Sequence, residues 1–425
     1  MYTNMNSRER VIKAINHQQP DKVPLDLGAT SQTGISASTL YKLRKALGLE
    51  EKTVTVHEPF QLLGYVDEDV RKALGVDVVG LYNPVNMLGV RNENWKPWRM
   101  PDGTPVLMAG GFEYTVDENG FTYAYPQGDR TARPSVKLPP DGYFFDNIDR
   151  SSGFDEDNLD PRGDYKDSFS VFDDDTAKYL ERESKRLYEE TEYAIVGNFG
   201  GGGFGDVAAI PGPSLRSPRG IRKIEDWLMA HILYPDYILE VYEMQAEIAL
   251  KNLEIYKQAV GERIQVIWVS GTDFGTQNCE FISPEIYRKF YKPFNKKIND
   301  WIHKNTGWKT FYHTCGSIVN LLDDLVEAGV DILNPVQCSA AGMNPKFLKD
   351  KYGDKLVFWG GGVDTQQILP FGTPDDVRRQ VRERLEIFSK GGGFIFNTIH
   401  NIVGKTPVEN LLAMYETVME FNGGM

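Results

Sequence analysis

Two of the softest ligating groups in this chain stand two residues apart, His313 and Cys315, within Lys309-Thr-Phe-Tyr-His-Thr-Cys-Gly316. Side chains alternate faces along an extended chain, so residues i and i+2 point the same way. An imidazole and a thiolate on one face form half of a Zn²⁺ site. A second reading stays open, with Cys315 a small buried hydrophobe and His313 a hydrogen-bonded core residue, because zinc needs at least three protein ligands. The choice depends on what else the fold brings to that face.

The pair ends an apolar run that precedes a glycine and a helix, and this pattern recurs. Short apolar strands are expected at 23–28, 77–82, 193–199, 264–270, 309–315, 331–336, 356–359 and 394–397. Helices are expected at 36–47, 67–74, 173–190, 220–230, 235–259, 283–304, 317–328, 344–351, 374–389 and 407–421. An earlier helix, capped by Ser7, places Val11, Ile12 and Ile15 on one face. Eight strands, most followed by helices, imply a parallel sheet, and the number favours a closed (β/α)₈ TIM barrel over an open doubly wound sheet. No G-x-G-x-x-G opens a helix after the first strand. The glycines at 200–203 read instead as a loop where backbone must approach something closely. We expect residues 1–425 to form a single barrel domain, with a β-rich insertion at about 84–170 marked by Pro101-Asp-Gly103 and Glu118-Asn-Gly120 turns. The acidic stretch 155–175 reads as a solvated, irregular loop.

In a TIM barrel the carboxyl ends of all strands meet on one face, and active sites are built there. That face collects Asp26, Thr30, Asn83, Asn198, Phe199, the stretch 270–277, His313, Cys315, Gln337, Cys338, Asp364, Asn397 and His400. Two of the three cysteines, Cys315 and Cys338, belong to it, and Cys279 follows two residues past its 270–277 stretch. Of the six histidines only His313 and His400 do, while His17, His57, His231 and His303 read as surface or packing residues. The metal-ligand trio is His313, Cys315 and His400, with Cys338 as the substitute third ligand; three protein ligands leave the open position of a catalytic zinc. Without a metal, His400 reads as an acid/base or hydrogen-bonding residue. Asp273 is placed for general acid/base work and Gln277 for orienting a substrate, although a loop aspartate also caps turns. Asn198 and Asp364 stand at strand ends where a substrate would bind. Trp268, Tyr312 and Trp359 offer aromatic walls for a flat ligand, or core packing.

Composition sets the outer limits. A formal charge of −13 with no basic stripe argues against a nucleic-acid partner. Cys279, Cys315 and Cys338 are too few and odd in number for a disulfide framework, which points to a reducing, cytoplasmic setting. Residues 1–19 lack an apolar signal core, and no run of about 18 apolar residues suggests a membrane span.

Phe311-Tyr-His-Thr-Cys-Gly-Ser317, Phe358-Trp-Gly-Gly-Gly-Val-Asp-Thr365, Ile282-Ser-Pro-Glu-Ile-Tyr287 and Gly391-Gly-Gly-Phe-Ile-Phe-Asn-Thr-Ile-His400, with Thr406-Pro-Val-Glu-Asn410, resemble the uroporphyrinogen decarboxylase superfamily. The likeness runs from about 193 to 420 and implies a (β/α)₈ barrel. It also implies one of two chemistries: cofactor-free decarboxylation of a porphyrinogen, or cobamide-dependent methyl transfer with zinc held by a His-x-Cys pair and a distant Cys. The decarboxylases carry an arginine motif at the first strand end, where this chain has Pro24-Leu-Asp-Leu-Gly28 and no arginine between Arg10 and Arg44. His313-x-Cys315 matches the methyltransferase pair, and His400 stands where the distant Cys falls. Members with a histidine there look like the substrate-side methyltransferases of demethylating systems, including those acting on aryl methyl ethers. The resemblance thus implies a methyltransferase with Zn²⁺, acting on a small methylated donor. No D-x-H-x-x-G corrinoid-attachment pattern occurs, so the cobamide would arrive on a separate corrinoid protein. A decarboxylase-like lyase and a methylcobamide:thiol methyltransferase are the alternatives.

Overall fold

The computed structural model describes residues 5–151 and 156–423; the first residue of the acidic 155–175 stretch lies outside them. Seven strands form one parallel sheet in the order Phe394–Ile395, Val357–Trp359, Ile332–Asn334, Lys309–His313, Val266–Ser270, Ala194–Asn198 and Val78–Leu81. Their side chains are buried almost throughout, as expected of parallel strands covered on both faces. The eighth, expected at 23–28, is reduced to a single bridge between Leu25 and Phe396.

That bridge still closes the ring. Asp26 N–H donates to Phe396 O at 2.9 Å and Phe396 N–H to Pro24 O at 2.8 Å, while Asp77 N–H donates to Leu25 O at 2.8 Å. Two local causes keep the strand short. Pro24 has no N–H to give a ladder, and the Leu25 N–H is taken by the Asp77 carboxylate at 3.0 Å. Asp77 is held in turn by Arg10 at 2.6 Å and Ser7 at 2.7 Å. The architecture is therefore a TIM-type barrel whose first strand is pinned by side chains as much as by backbone.

Several elements differ from expectation in instructive ways. The first helix, Ser7–Ile15, is capped by Asn6, with Glu9 completing a capping box, so Ser7 is free to bind Asp77. The helix expected at 283–304 is interrupted by a π turn, Tyr287–Tyr291, before Lys292–Asn305. Pro293 supplies no N–H and its ring crowds the preceding turn, so the chain admits an extra residue there. The π turn aims Tyr287 and Tyr291 at Phe274, with ring centroids 5.2 and 5.0 Å apart. Within the acidic stretch, Pro161–Tyr165 is a short helix capped by Asp160.

Two small sheets interrupt the barrel after Val78–Leu81. Tyr114–Val116, Thr122–Ala124, Val136–Leu138 and Asp146–Asn147 form an antiparallel meander. Lys96–Arg99 and Pro105–Met108 extend a sheet with Val54–Glu58 and Leu63–Gly64. The last two strands were not expected from the sequence; Val54–Glu58 pairs with Leu63–Gly64 nearby and with Pro105–Met108 across some fifty residues. Among the described residues no helix is long and apolar enough to cross a membrane.

Candidate active site

Strand alternation places Phe311 and His313 toward the barrel interior and Tyr312 toward the helices. Phe311 packs edge-on against Trp359 at 5.3 Å, and His313 stands above it at the carboxyl end, 3% exposed. Its Nδ1 lies 2.5 Å from Asn334 Oδ1. The Asn334 amide is oriented by Nδ2, which donates to the Trp359 carbonyl at 2.7 Å. Oδ1 is therefore the acceptor, Nδ1 carries the proton, and the Nε2 lone pair faces the barrel mouth.

Nε2 meets Cys315 Sγ at 3.2 Å and Asp273 Oδ1 at 3.7 Å. The His400 ring stands edge-on to His313 with centroids 5.3 Å apart. One ligand atom each from His313, Cys315 and His400 lies within 4.8 Å of the others. A tetrahedral zinc with bonds of about 2.1 Å to nitrogen and 2.3 Å to sulfur separates such a pair by roughly 3.6 Å, so the donor set fits the ion in both type and spacing.

The loops carrying these groups are fastened to one another. Cys315 N–H donates to Asp273 Oδ1 at 2.7 Å, Phe274 N–H to Thr314 Oγ1 at 3.0 Å, and Ser317 N–H to Thr276 O at 2.8 Å. Gly316 makes this zipper possible. Its φ is +86°, and a Cβ there would sit 2.4 Å from the Gly275 carbonyl carbon. Burial lowers the pKa of His313 and, with His313 nearby, brings that of His400 down to about 4, so both imidazoles are neutral and hold lone pairs. Burial and the neighbouring Asp273 push the Cys315 thiol well up, so a cation is needed to draw out the thiolate.

A cleft of about 710 Å³ opens over these groups, lined by His313, His400, Asp273, Trp268 and Asn198 among others. Trp268 lies against Gly200, where a Cβ would come within 2.7 Å of the indole ring; this is the close approach that the glycine run implied. Among the described residues the Trp268 Nε1 has no hydrogen-bond partner. Asn198 spends its amide on the Ala29, Leu81 and Val196 carbonyls, tying three strand ends together at the cleft wall.

Other expected site residues are placed elsewhere. Tyr312 is buried on the helix side, away from the cleft, because its parity on the strand is opposite to that of His313. Trp359 is a core residue, pinned by Nε1 donating to Asp26 Oδ2 at 2.8 Å. Asp364 caps a turn, accepting the N–H of Gln366 at 2.7 Å. Gln277 is exposed and accepts from Gln337 at 3.1 Å while donating to Ser339. Cys338 does not join the trio; burial raises its thiol to about 12. Cys279 is exposed beside Thr276.

Three residues of the cleft escaped the sequence reading. His57, expected to lie away from this face, lines it, its ring tilted against that of Tyr82 with centroids 4.4 Å apart. Glu58 beside it is buried, Asp206 lines the cleft half-buried, and desolvation raises the pKa of each to about 7. The available signal was the ionisable pair His57-Glu58 ending an apolar alternation, Val54-Thr-Val56.

Residues 214–421 match the uroporphyrinogen decarboxylase (URO-D) family. The chain is 26% identical over 182 residues to a uroporphyrinogen decarboxylase of Carboxydothermus hydrogenoformans, covering 43% of this chain and 48% of that protein. It is 29% identical over 146 residues to the methylcobamide:CoM methyltransferase MtbA of Methanosarcina acetivorans, covering 34% and 40%. The matched region thus spans less than half the length of these curated relatives. A solved methyltransferase from Methanosarcina mazei superposes with a TM-score of 0.57 at 17% identity over 98% of this chain and 99% of that one, a likeness of fold. Residues 214–421, the stretch that matches the URO-D family, carry Asp273, His313, Cys315 and His400.

Proposed function

We propose that the protein is a methyltransferase that moves a methyl group from a small methylated donor, aryl methyl ethers included, to the cob(I)amide of a separate corrinoid protein. The observation that carries this reading is the convergence of His313, Cys315 and His400 beneath an open cleft. Zn²⁺ held by these three residues would supply Lewis acidity where negative charge grows on the heteroatom that loses its methyl group.

The chain's own contribution is orientation and proton control. Asn334 fixes the His313 tautomer, and Asp273 holds Cys315 through its backbone N–H. Asp273 also faces the cleft, where its second oxygen can pass a proton to the departing heteroatom. Trp268 provides a flat wall that aligns the donor, and the open end of the cleft admits the corrinoid partner.

The two alternatives fit the cleft less well. Among the described residues its lining includes no Lys or Arg, so the many carboxylates of a porphyrinogen, or an anionic thiol acceptor, would find no counter-charge. Metal analysis of the wild type beside Cys315→Ala and His400→Ala is the first test; zinc bound in the wild type and lost in both variants is expected. Unchanged zinc across the three would sink the ligand assignment. Methyl transfer is checked separately by following conversion of cob(I)amide on a corrinoid protein, with reductant and a panel of methoxylated and N-methylated donors.

A further inference from the structure

The cleft has a second polar wall, remote from the trio. Glu58 is 8% exposed, and its oxygens accept only the backbone N–H groups of Phe60 at 3.2 Å and Gln61 at 2.7 Å. Among the described residues no cationic side chain compensates it. His57, equally buried, lines the cleft with a ring that makes no hydrogen bond among the described residues, and burial holds its pKa near about 4, so it is neutral and supplies no counter-charge. Burying a carboxylate without a partner is costly. Asp206, half-buried on the same cleft, likewise has no cation beside it among the described residues. Tyr82 and Trp268 line the same space, and aromatic faces attract cations.

Uncompensated carboxyls, an unpartnered neutral imidazole and aromatic faces around one cleft without basic residues together specify a positive ligand. We propose that the cleft takes a methyl donor whose non-reacting end carries an ammonium group, held by Glu58 and His57 beside the Tyr82 ring. That the ligand is a methyl donor rests on the reading above; its charge rests on the cleft alone. The ammonium subsite communicates with the trio through Gln61, whose Oε1 accepts from Asn401, the neighbour of His400, at 2.7 Å.

The test is calorimetric titration of the zinc-loaded protein at about pH 8, where an alkylammonium is charged, with three probes of one shape. These are 2-phenylethylamine, 2-phenylethanol and 3-phenylpropanoate. No corrinoid protein is present, so failure of methyl transfer cannot mimic failure of charge selection. The amine is expected to bind about tenfold or more tighter than the alcohol, and the carboxylate not to bind. Glu58→Gln should bring the amine down to the affinity of the alcohol and leave the alcohol unchanged. Equal affinity of amine and alcohol for the wild type, preference for the carboxylate, no binding of any probe, or a preference surviving Glu58→Gln would each overturn the proposal. The wild-type series needs no variant, so it decides even where Glu58→Gln does not fold.

Discussion

Asn334 offers the sharpest separation of structural and metal-binding roles. It is fully buried, with Oδ1 2.5 Å from His313 Nδ1 and Nδ2 2.7 Å from the Trp359 carbonyl. Asn334→Ala leaves both partners buried and unpaired, at about 1–3 kcal/mol each, and frees the His313 ring to rotate or change tautomer. Loss of such an outer partner weakens metal binding by about 10–100-fold. Asn334→Asp restores an acceptor for Nδ1 but places a carboxylate against the Trp359 carbonyl. It should therefore lose stability while keeping zinc affinity near or above wild type. Zinc affinity by chelator competition and stability by denaturant unfolding, measured on both variants, separate the two effects. Equal losses of zinc affinity in the two variants, or none in a folded Asn334→Ala, would refute the assignment of Nε2 as the ligand atom.

Cys338→Ala should leave zinc content unchanged by metal analysis, because that thiol does not reach the trio; loss of zinc would reinstate it as a ligand. Gly316→Ala combines a left-handed φ with a 2.4 Å backbone contact, and should cost about 2–5 kcal/mol by strain and overpacking, read as a lowered unfolding midpoint. Asp26 is raised by burial to about 6 from 3.8. Its folded form holds the proton more tightly, so its stabilising contribution is full below about pH 4 and disappears as pH rises through about 6. At 1.36 kcal/mol per pKa unit this is about 2–3 kcal/mol. Wild type should lose that much relative to Asp26→Asn between pH 4 and pH 7 in urea unfolding, and a pH-independent difference would refute it.

The barrel was legible because its signal is local and repeated. Val266–Ser270 and Lys309–His313 are apolar runs bounded by helices, a pattern that needs no knowledge of distant partners. Leu25 shows where local reading stops: whether its short run forms a full strand depends on Asp77 taking its N–H, a contact fifty residues away. Tyr312 and His313 are adjacent, yet only one reaches the cleft. Strand parity decides between them, and parity was already implied by pairing His313 with Cys315. Trp359 needed Asp26, across the barrel, to become a core residue.

His57 and Glu58 were harder for a physical reason. Their strand is short and is held both by Leu63–Gly64 nearby and by Pro105–Met108 some fifty residues on, so its place at the barrel mouth depends in part on a distant partner. This divides the site by origin. His313, Cys315, His400 and Asp273 all fall within 214–421, the stretch that matches the URO-D family. His57, Glu58, Tyr82, Asn198 and Asp206, which shape and charge the cleft, all fall before it. On the proposed reading the groups that would act on the methyl sit on strand ends fixed by the barrel, while most groups that would meet the rest of the ligand, Trp268 apart, come from the first half of the chain. A barrel of this kind can keep one reaction and change its substrate by altering only the first half. The family match covers only 214–421, so the proposed donor preference rests on the cleft wall around Glu58 and on no likeness to relatives.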